Sequence, residues 1–342
     1  MRFGLTILPE RPWAEAERQW RTAEELGFDH AWTYDHLVWA GLPDSPWFGT
    51  TPTLTAAALA THRIGLGTLV SSPNYRHPAA LHRDVQSLDD ISGGRFLLGV
   101  GNGGDLDSQV LGQPALTTKE RVDRFQEFTR LYLRLRDWAP GEAGGAHGVA
   151  GGAHLEAGED LVTSEGTWFT LRGMRPMPPV AHVPVLAAAN GPRSVRFAAR
   201  EADGWITNGA RVQSLDEWFE GLAQSTRTLE EALAAAGRDP AAYPRYLNLD
   251  SSPVFSLSSP DVFEDLVTRA AALRFTDVVS HWPRPTPPYE GVESTLSAVA
   301  NEVIPRLRES LGGTMTACLP AAASTSPPVT LPSASASPRG PS

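Results

Sequence analysis

The sequence predicts an α/β protein of the (β/α)8 TIM barrel class, and three observations lead to this prediction. Short apolar runs alternate with amphipathic stretches, and eight such pairs fill residues 1–312 of the 342-residue chain. The strand-like runs are continuously apolar, as expected for parallel strands that are covered on both faces. Strict strand–helix alternation over this length favours one large barrel, assigned to residues 1–312, over two separate domains.

The first half of the chain supplies four strand–helix units. The predicted strands are Phe3–Ile7, Ala31–Tyr34, Ile64–Val70 and Arg95–Val100. The predicted helices are Trp13–Leu26, Thr53–Thr61, Pro78–Ser92 and Thr117–Asp137. Gly27 and the pair Gly93-Gly94 end the first and third helices, because glycine readily adopts the left-handed conformation that closes a helix.

The second half of the chain continues the same alternation. The predicted strands are Val183–Ala188, Trp205–Thr207, Tyr246–Leu249 and Asp277–Ser280. The predicted helices are Pro192–Arg200, Leu215–Ala236, Asp261–Leu273 and Val292–Leu311. These four units complete the eight that a (β/α)8 barrel requires.

Two segments interrupt or follow the barrel. Residues 140–182 form an insertion and connection after the fourth βα unit, and its first part, Pro140–Asp160, is rich in Gly and Ala and predicts a long mobile loop. Residues 313–342 are rich in Pro, Ser and Ala and have no periodic apolar pattern. We expect this tail, which holds the lone Cys318, to be disordered.

Composition excludes several classes of protein. The net charge is -10 and no Lys/Arg cluster occurs, which argues against nucleic-acid and anionic-membrane partners. A single cysteine excludes a disulfide framework and favours the cytosol. No apolar run approaches the ~20 residues of a membrane span, and the start lacks a signal-peptide pattern. The sequence therefore predicts a soluble, cytoplasmic protein.

In a barrel, functional residues lie on the loops at the carboxyl ends of the strands. The second predicted strand ends in Tyr34-Asp35-His36. An imidazole beside a carboxylate at such a position predicts a proton donor or acceptor near neutral pH, because His titrates there and Asp orients it. An Asp–His pair that only caps a turn is the alternative.

Two further strand ends carry glycines. After the fourth strand, Gly99–Asp105 holds four glycines, which allow backbone N–H groups to approach an anion or a flat ring. This run matches the GxGxxG pattern, but no continuous helix follows it directly, so a Rossmann site is not favoured. After the fifth strand, Gly191-Pro192-Arg193 begins a helix whose free N–H groups suit an anion. Arg193 either adds charge there or faces solvent.

No metal site is predicted. The sequence contains neither an HExxH motif nor a Gly-x-Ser-x-Gly elbow, and the histidines lack metal-ligand spacing. Of the 29 basic residues, 28 are arginine and only Lys119 is lysine. Lysine-dependent chemistry, such as a Schiff base, therefore has one available position.

Taken together, several runs resemble the luciferase-like monooxygenase superfamily. The runs that carry the resemblance are Tyr34-Asp35-His36, Arg63–Thr68, Arg76–Ala79, Leu88–Gly101, Pro184–Ser194, Ala202–Ile206 and Gly237–Pro240. The resemblance covers residues 1–311 and implies a (β/α)8 barrel that holds FMN or the deazaflavin coenzyme F420 at the carboxyl ends of its strands.

The resemblance also implies roles for individual residues. Asp35 would contact the cofactor ring, and His36 would be the acid/base. A non-proline cis peptide would back the ring at Leu69-Val70. The remaining cofactor-binding residues would be Gly101, Asn102, Gly103, Ala188, Ala189, Asn190, Gly191 and Arg193. The Asp-His pair and the Leu98–Gly103 run resemble the F420 branch more than the FMN branch.

The expected substrate follows from one difference between this sequence and the sugar-phosphate members of the family, and from the aromatic residues. Members that oxidise a sugar phosphate have a glutamate where this chain has Gly104, and they use lysines that this chain, with Lys119 alone, lacks. Trp39, Trp47, Tyr75 and Trp282 are the predicted substrate pocket and favour an apolar or planar molecule.

The resemblance leaves three functions open. The first is hydride transfer between coenzyme F420 and a small organic substrate. The second is an FMN-dependent monooxygenase that uses O2 and reduced flavin from a separate reductase, and the third is a non-catalytic flavin-binding protein. We expect a homodimer in each case.

Overall fold

The computed structural model describes residues 1–139, 161–177 and 182–312, and it contains ten strands there. The strands are β1 Arg2–Thr6, β2 His30–Thr33, β3 Gly65–Ser71, β4 Phe96–Val100, β5 Val162–Glu165, β6 Thr170–Met174, β7 Val185–Ala188, β8 Gly204–Thr207, β9 Arg245–Asn248 and β10 Asp277–His281. Eight of them are parallel and close a barrel in the order β1-β10-β9-β8-β7-β4-β3-β2. The fold class is therefore the predicted (β/α)8 barrel.

Helices surround the barrel. They are α1 Trp13–Glu25, α2 Thr50–Ala60, α3 Pro78–Ser92, α4 Leu106–Val110, α5 Thr118–Arg136, α6 Pro192–Glu201, α7 Leu215–Ala235, α8 Pro260–Ala272, α9 Glu293–Ala298 and α10 Ile304–Gly312. A π-helical turn, Val299–Val303, joins the last two, so the predicted helix over 292–311 is one rod with a local change of winding. None of these helices combines the length and apolar composition of a membrane span.

All eight predicted barrel strands are confirmed, with ends displaced by at most two residues. The sequence prediction missed the short helix α4 and the antiparallel hairpin β5–β6, which lies between α5 and β7, where the insertion was expected. The predicted mobile loop over 140–160 and the predicted tail over 313–342, with Cys318, lie outside the described residues.

The apolar residues divide into two cores. The larger core fills the layer between barrel and helices and includes Leu5, Trp20, Leu66, Phe125 and Trp218. The smaller core fills the inside of the barrel. Its buried members are Leu8, Trp32, Tyr34, Leu69, Leu186, Ile206, Tyr246 and Val279. Residues that belong to this inner core, or that pack against it, are the ones that face a barrel-mouth site.

A polar plug closes the amino-terminal end of the barrel. The buried His30 and the partly exposed Arg2 both pair with Asp277, at 3.0 and 2.8 Å. Burial works against ionisation of Asp277, but the His30 hydrogen bond and the Arg2 charge outweigh it and lower the pKa of that carboxyl. The plug leaves the carboxyl-terminal mouth as the open end, where barrel active sites form.

Candidate active site

The strand order places the predicted cofactor residues side by side. Strands β2, β3, β4 and β7 are consecutive neighbours in the barrel. The carboxyl ends of these strands and the loops that follow them carry, in the same order, the Asp35-His36 pair, the Leu69-Val70 bond, the Gly101–Gly103 run and the Ala188–Gly191 run. Residues far apart in sequence therefore share one half of the barrel mouth.

The bond between Leu69 and Val70 is cis, as the resemblance implied. It lies where the β3–β4 register shifts, between Thr68 and Ser71. Leu69 belongs to the inner core and Val70 packs against it, so this bulge faces the inside of the barrel. The bulge thus forms a wall at the predicted cofactor position.

The glycines after β4 let that loop pack against β3. A Cβ at Gly101 would lie 2.6 Å from Val70 Cγ2 and 3.1 Å from the Cβ of Ala188. Gly103 has φ +67°, and a Cβ there would collide with Ser72 and Asn74. Close packing within the chain accounts for both glycines. A Cβ at Gly104 would meet nothing within 4 Å, so that position alone opens toward free space.

His36 is oriented by a carboxylate that the sequence analysis did not single out. Its Nδ1 lies 2.7 Å from Oδ2 of Asp107, in α4, whose side chain is fully buried. The other oxygen of Asp107 accepts hydrogen bonds from the backbone N–H groups of Leu37 and Val38. A carboxylate can only accept here, so the His36 proton resides on Nδ1 and Nε2 is left as the basic nitrogen.

Asp35 points away from His36 into a buried ion pair. Arg76 donates two hydrogen bonds to its carboxylate, at 2.7 and 3.1 Å, and Ser71 and Tyr75 donate one each. Burial works against the charge on Arg76, but the Asp35 charge outweighs it and raises the pKa of the guanidinium. Asp35 therefore anchors the β3 loop, and its contact with a cofactor stays a prediction.

An aromatic cluster lines the mouth beside His36. Trp39 and Trp47, both predicted pocket residues, pack against the inner core, with ring centroids 5.9 Å apart. Tyr34 meets the His36 ring edge-on at 6.0 Å and the Trp39 ring at 5.1 Å. Tyr289, which the sequence analysis missed, lies parallel to Trp39 at 6.2 Å. This aromatic box, defined by Tyr34, Trp39, Trp47 and Tyr289, suits an apolar or planar molecule.

The predicted pocket residue Trp282 does not belong to the aromatic box. Trp282 is 4% exposed, belongs to the outer core and donates its indole N–H to Glu293. Tyr75, the fourth predicted pocket residue, is half-buried and bound to Asp35 rather than aligned with the aromatic box. Strand alternation decides which side chains face inward, and the residue after β10 faces the helices.

The residues at the end of β7 and in the loop after it also have different surroundings. Ala188 packs against the inner core, whereas Ala189 is buried in the outer core. Asn190 accepts hydrogen bonds from Thr207 and Asn208 and so ties two loops together. Arg193 pairs with Asp123 on the outer surface, so its contribution to a cofactor site stays a prediction.

Two cations that a phosphate group could use, Arg284 and Lys119, form ion pairs with carboxylates. Arg284 makes a bidentate bond to Glu10 and donates to the carbonyls of residues 286–288. Lys119 is largely exposed on α5 and pairs with Asp123. The apolar substrate stays a prediction.

A family model of luciferase-like monooxygenases matches residues 1–295, and the chain belongs to that family. It is 34% identical to an F420-dependent glucose-6-phosphate dehydrogenase of Beutenbergia cavernae, over 61% of this chain and 58% of that protein. It is 28% identical to a 5,10-methylenetetrahydromethanopterin reductase of Methanolobus tindarius, over 70% of this chain and 62% of that one. The chain thus spans about three fifths of the length of these curated relatives.

Solved structures share the fold at low sequence identity. An F420-dependent secondary alcohol dehydrogenase in complex with an F420-acetone adduct matches with a TM-score of 0.71 and 17% identity, over 90% of this chain and 99% of that one. A monooxygenase from Streptomyces bottropensis matches with a TM-score of 0.65 and 20% identity, over 90% and 99%.

Proposed function

We propose that this protein is an oxidoreductase that transfers a hydride between coenzyme F420 and a small, apolar organic substrate. The observation that carries the proposal is the His36–Asp107 pair at the edge of the aromatic box, with the Leu69-Val70 bulge on the neighbouring strand β3. F420-dependent enzymes among the curated relatives support the choice of cofactor.

The residues at the mouth fit a cofactor with polar ring substituents and a charged tail. The buried atoms Ser72 Oγ and Asn102 Oδ1 have no hydrogen-bond partner among the described residues. Asn102 belongs to the Gly101–Gly103 run, and Ser72 packs against Gly103. Buried polar atoms normally find partners, so these atoms suit a bound ligand. The first turn of α6, behind Gly191, offers uncapped N–H groups for an anionic group. When bound there, F420 would supply or accept the hydride at its deazaflavin ring.

His36 would manage the proton that accompanies the hydride. In alcohol oxidation the substrate hydroxyl loses its proton as the C–H hydride leaves, and Nε2 of His36 would accept that proton. Asp107 holds Nδ1–H and stabilises the imidazolium that forms. The aromatic box would orient the apolar part of the substrate and exclude water from the reaction.

The ion pairs of Arg284 and Lys119 favour an apolar substrate over a sugar phosphate. The relatives named glucose-6-phosphate dehydrogenases are F420-dependent, but here Arg284 is bound to Glu10 and Lys119 lies on the outside of α5. A phosphate entering this mouth would have to displace Glu10 from Arg284. An apolar alcohol or ketone requires no such displacement.

A flavin monooxygenase is the second candidate, favoured by a similar fold in a Streptomyces monooxygenase. In that case FMN, reduced by a separate reductase, would react with O2. A non-catalytic flavin-binding protein is the third, and it leaves the His36–Asp107 pair without a role. We also propose that the protein forms a homodimer and is located in the cytoplasm.

The test is a fluorescence titration of the purified protein with F420 and, separately, with FMN. Saturable F420 binding with weaker FMN binding supports the proposal, and tight FMN binding without F420 binding contradicts it. His36→Asn should keep F420 affinity and lower turnover by about 10²-fold or more, since general acid–base catalysis contributes that much. Unchanged turnover would remove His36 from the reaction.

A further inference from the structure

A groove of about 230 Å³ lies between α6 and α7, outside the barrel mouth. Arg196 and Arg200 of α6 line one side, and Thr228, Glu231 and alanines at the end of α7 line the other. Alanine has no side chain beyond Cβ, so this part of α7 leaves room above its backbone. The groove is therefore open to a ligand that arrives along the surface of the two helices.

The two arginines of this groove are unpaired. Both side chains are exposed, and neither forms a hydrogen bond or an ion pair with any of the described residues. They are four residues apart, so they lie on the same face of α6 and repel each other. Glu231 lines the groove but pairs with neither. Two guanidinium groups thus face one carboxylate, and an anion would relieve the repulsion between them.

The charged residues next to this groove in sequence are already paired. The pairs are Arg193 with Asp123, Glu201 with Arg130, and Glu230 with Arg245 and with Arg274. The chain as a whole has a net charge of -10, which repels an anionic ligand at long range. An anion that binds on this surface must therefore be recognised locally, and Arg196 and Arg200 are the groups available for it.

The groove begins close to the barrel mouth. Helix α6 starts at Pro192, directly after the loop that follows β7, so its amino-terminal end lies at the mouth. With a rise of 1.5 Å per residue, Arg196 and Arg200 are about 6 and 12 Å further along the helix. An extended chain covers about 12 Å in three or four residues. A short anionic chain that leaves the mouth at Gly191 is therefore long enough to reach both arginines.

We propose that this groove binds the glutamate tail of coenzyme F420, with Arg196 and Arg200 as the residues that pair with its carboxylates. F420 carries a chain of glutamate units beyond its phosphodiester, and their carboxylates are ionised at neutral pH. Arginine suits such a ligand, because its planar fork pairs with carboxylates. The proposal rests on the proposed function and adds a preference for the long-tailed forms of the cofactor.

The test compares two forms of F420 that differ only in tail length, one with a single glutamate and one with about five. Their dissociation constants are measured from the fluorescence anisotropy of the deazaflavin ring, so no turnover is needed. We expect the wild-type protein to bind the long-tailed form about fivefold more tightly at low ionic strength, the ratio that about 1 kcal/mol of exposed ion pairing produces. In about 0.5 M NaCl the two affinities should approach each other, because salt screens exposed charges.

Three variants assign this preference to the groove. The double variant Arg196→Gln/Arg200→Gln should bind both forms equally, by weakening the long-tailed form alone. Glu231→Gln removes the opposing carboxylate and should increase the preference about twofold. The control, Arg18→Gln/Arg306→Gln, removes the same charge from exposed pairs on α1 and α10 and should keep the wild-type preference.

The proposal is overturned if the wild-type protein binds the two forms equally at low salt, if the groove double variant keeps the preference, or if the control loses it to the same extent. Failure of the proposed function has a different signature. In that case neither form of F420 binds and the tail site fails with it, whereas equal, saturable binding of both forms removes the tail site and leaves the proposed function in place.

Discussion

Asp107 holds His36 by one carboxylate oxygen, at 2.7 Å from Nδ1, and holds the backbone of Leu37 and Val38 by the other. The same carboxylate therefore fixes the ring and the loop that carries it. Because the Asp107 side chain is fully buried, no water competes for these bonds. This relationship converts a histidine at a strand end into a base with a defined tautomer.

Replacing Asp107 should impair the reaction more than cofactor binding. In Asp107→Asn the amide group can donate to Nδ1 of His36, which favours the tautomer with its proton on Nε2 and removes the basic nitrogen from the pocket. We expect turnover to fall by about 10²-fold, as for loss of a general base. Steady-state rates measured from F420 absorbance, with the F420 dissociation constant determined in parallel, check this.

Asp105→Asn is the matched control, because Asp105 is an exposed neighbour paired only with Arg121 in the described contacts. It should retain wild-type turnover. Equal rates for Asp107→Asn and Asp105→Asn would show that the buried carboxylate does not act on His36.

In the loop after β4, a methyl group added at Gly101 should weaken cofactor binding, whereas one added at Gly104 should not. Gly101→Ala places a Cβ 2.6 Å from Val70 and pushes on the Leu69-Val70 bulge. Overpacking of this kind costs about 1–3 kcal/mol, so we expect the F420 dissociation constant to rise about tenfold. Gly104→Ala meets open space and should bind as the wild type does. Similar affinities for both variants would show that the bulge does not support the cofactor.

Breaking the buried pair of Asp35 and Arg76 should destabilise the protein strongly. The side chains are 1% and 19% exposed, so Arg76→Met leaves a buried carboxylate without its cation. Loss of one partner of such a pair costs about 3–5 kcal/mol of unfolding free energy. Urea denaturation followed by circular dichroism measures this. Arg172→Met, which breaks the exposed pair with Glu165, should cost less than about 1 kcal/mol. A loss of that small size in Arg76→Met would contradict the prediction.

His82 should make the stability of the fold depend on pH below neutrality. It is fully buried in α3, and burial, aided by the nearby Arg83 charge, lowers its pKa from 6.5 to about 4. Between those two values the unfolded chain binds a proton that the folded chain excludes. The free energy of unfolding should therefore fall as pH drops from about 6.5 to about 4, by roughly 3 kcal/mol at most.

Urea denaturation of the wild type and of His82→Leu at pH 7 and pH 4.5 tests this. The variant should lose much less stability over that interval, because it has no imidazole to protonate. His62→Leu, at an exposed histidine, serves as the control and should keep the wild-type dependence. Parallel pH profiles for the wild type and His82→Leu would refute the assignment to His82.

The barrel and part of the candidate site could be predicted because they depend on local patterns. A short apolar run in the sequence predicts each strand, and parallel strands place their carboxyl ends at one mouth of the barrel. The cis bond between Leu69 and Val70 was predicted correctly. His36, Trp39 and Trp47 lie in the loop after β2, and their roles stay predictions. The partners of these residues were not found, since Asp107 is 71 residues from His36 and Tyr289 is 255 residues from Tyr34.

Sequence alone thus determined the fold class, the strand positions and the end of the barrel that carries the site, because periodicity and glycine or proline boundaries are encoded locally. Only the tertiary structure decided which way each side chain points. In the folded chain Trp282 faces the helices and donates to Glu293. Asp35 is paired with Arg76, and His36 is paired with Asp107. These orientations depend on desolvation and on the geometry of groups from strands that are distant in sequence. A local sequence pattern carries no information about either.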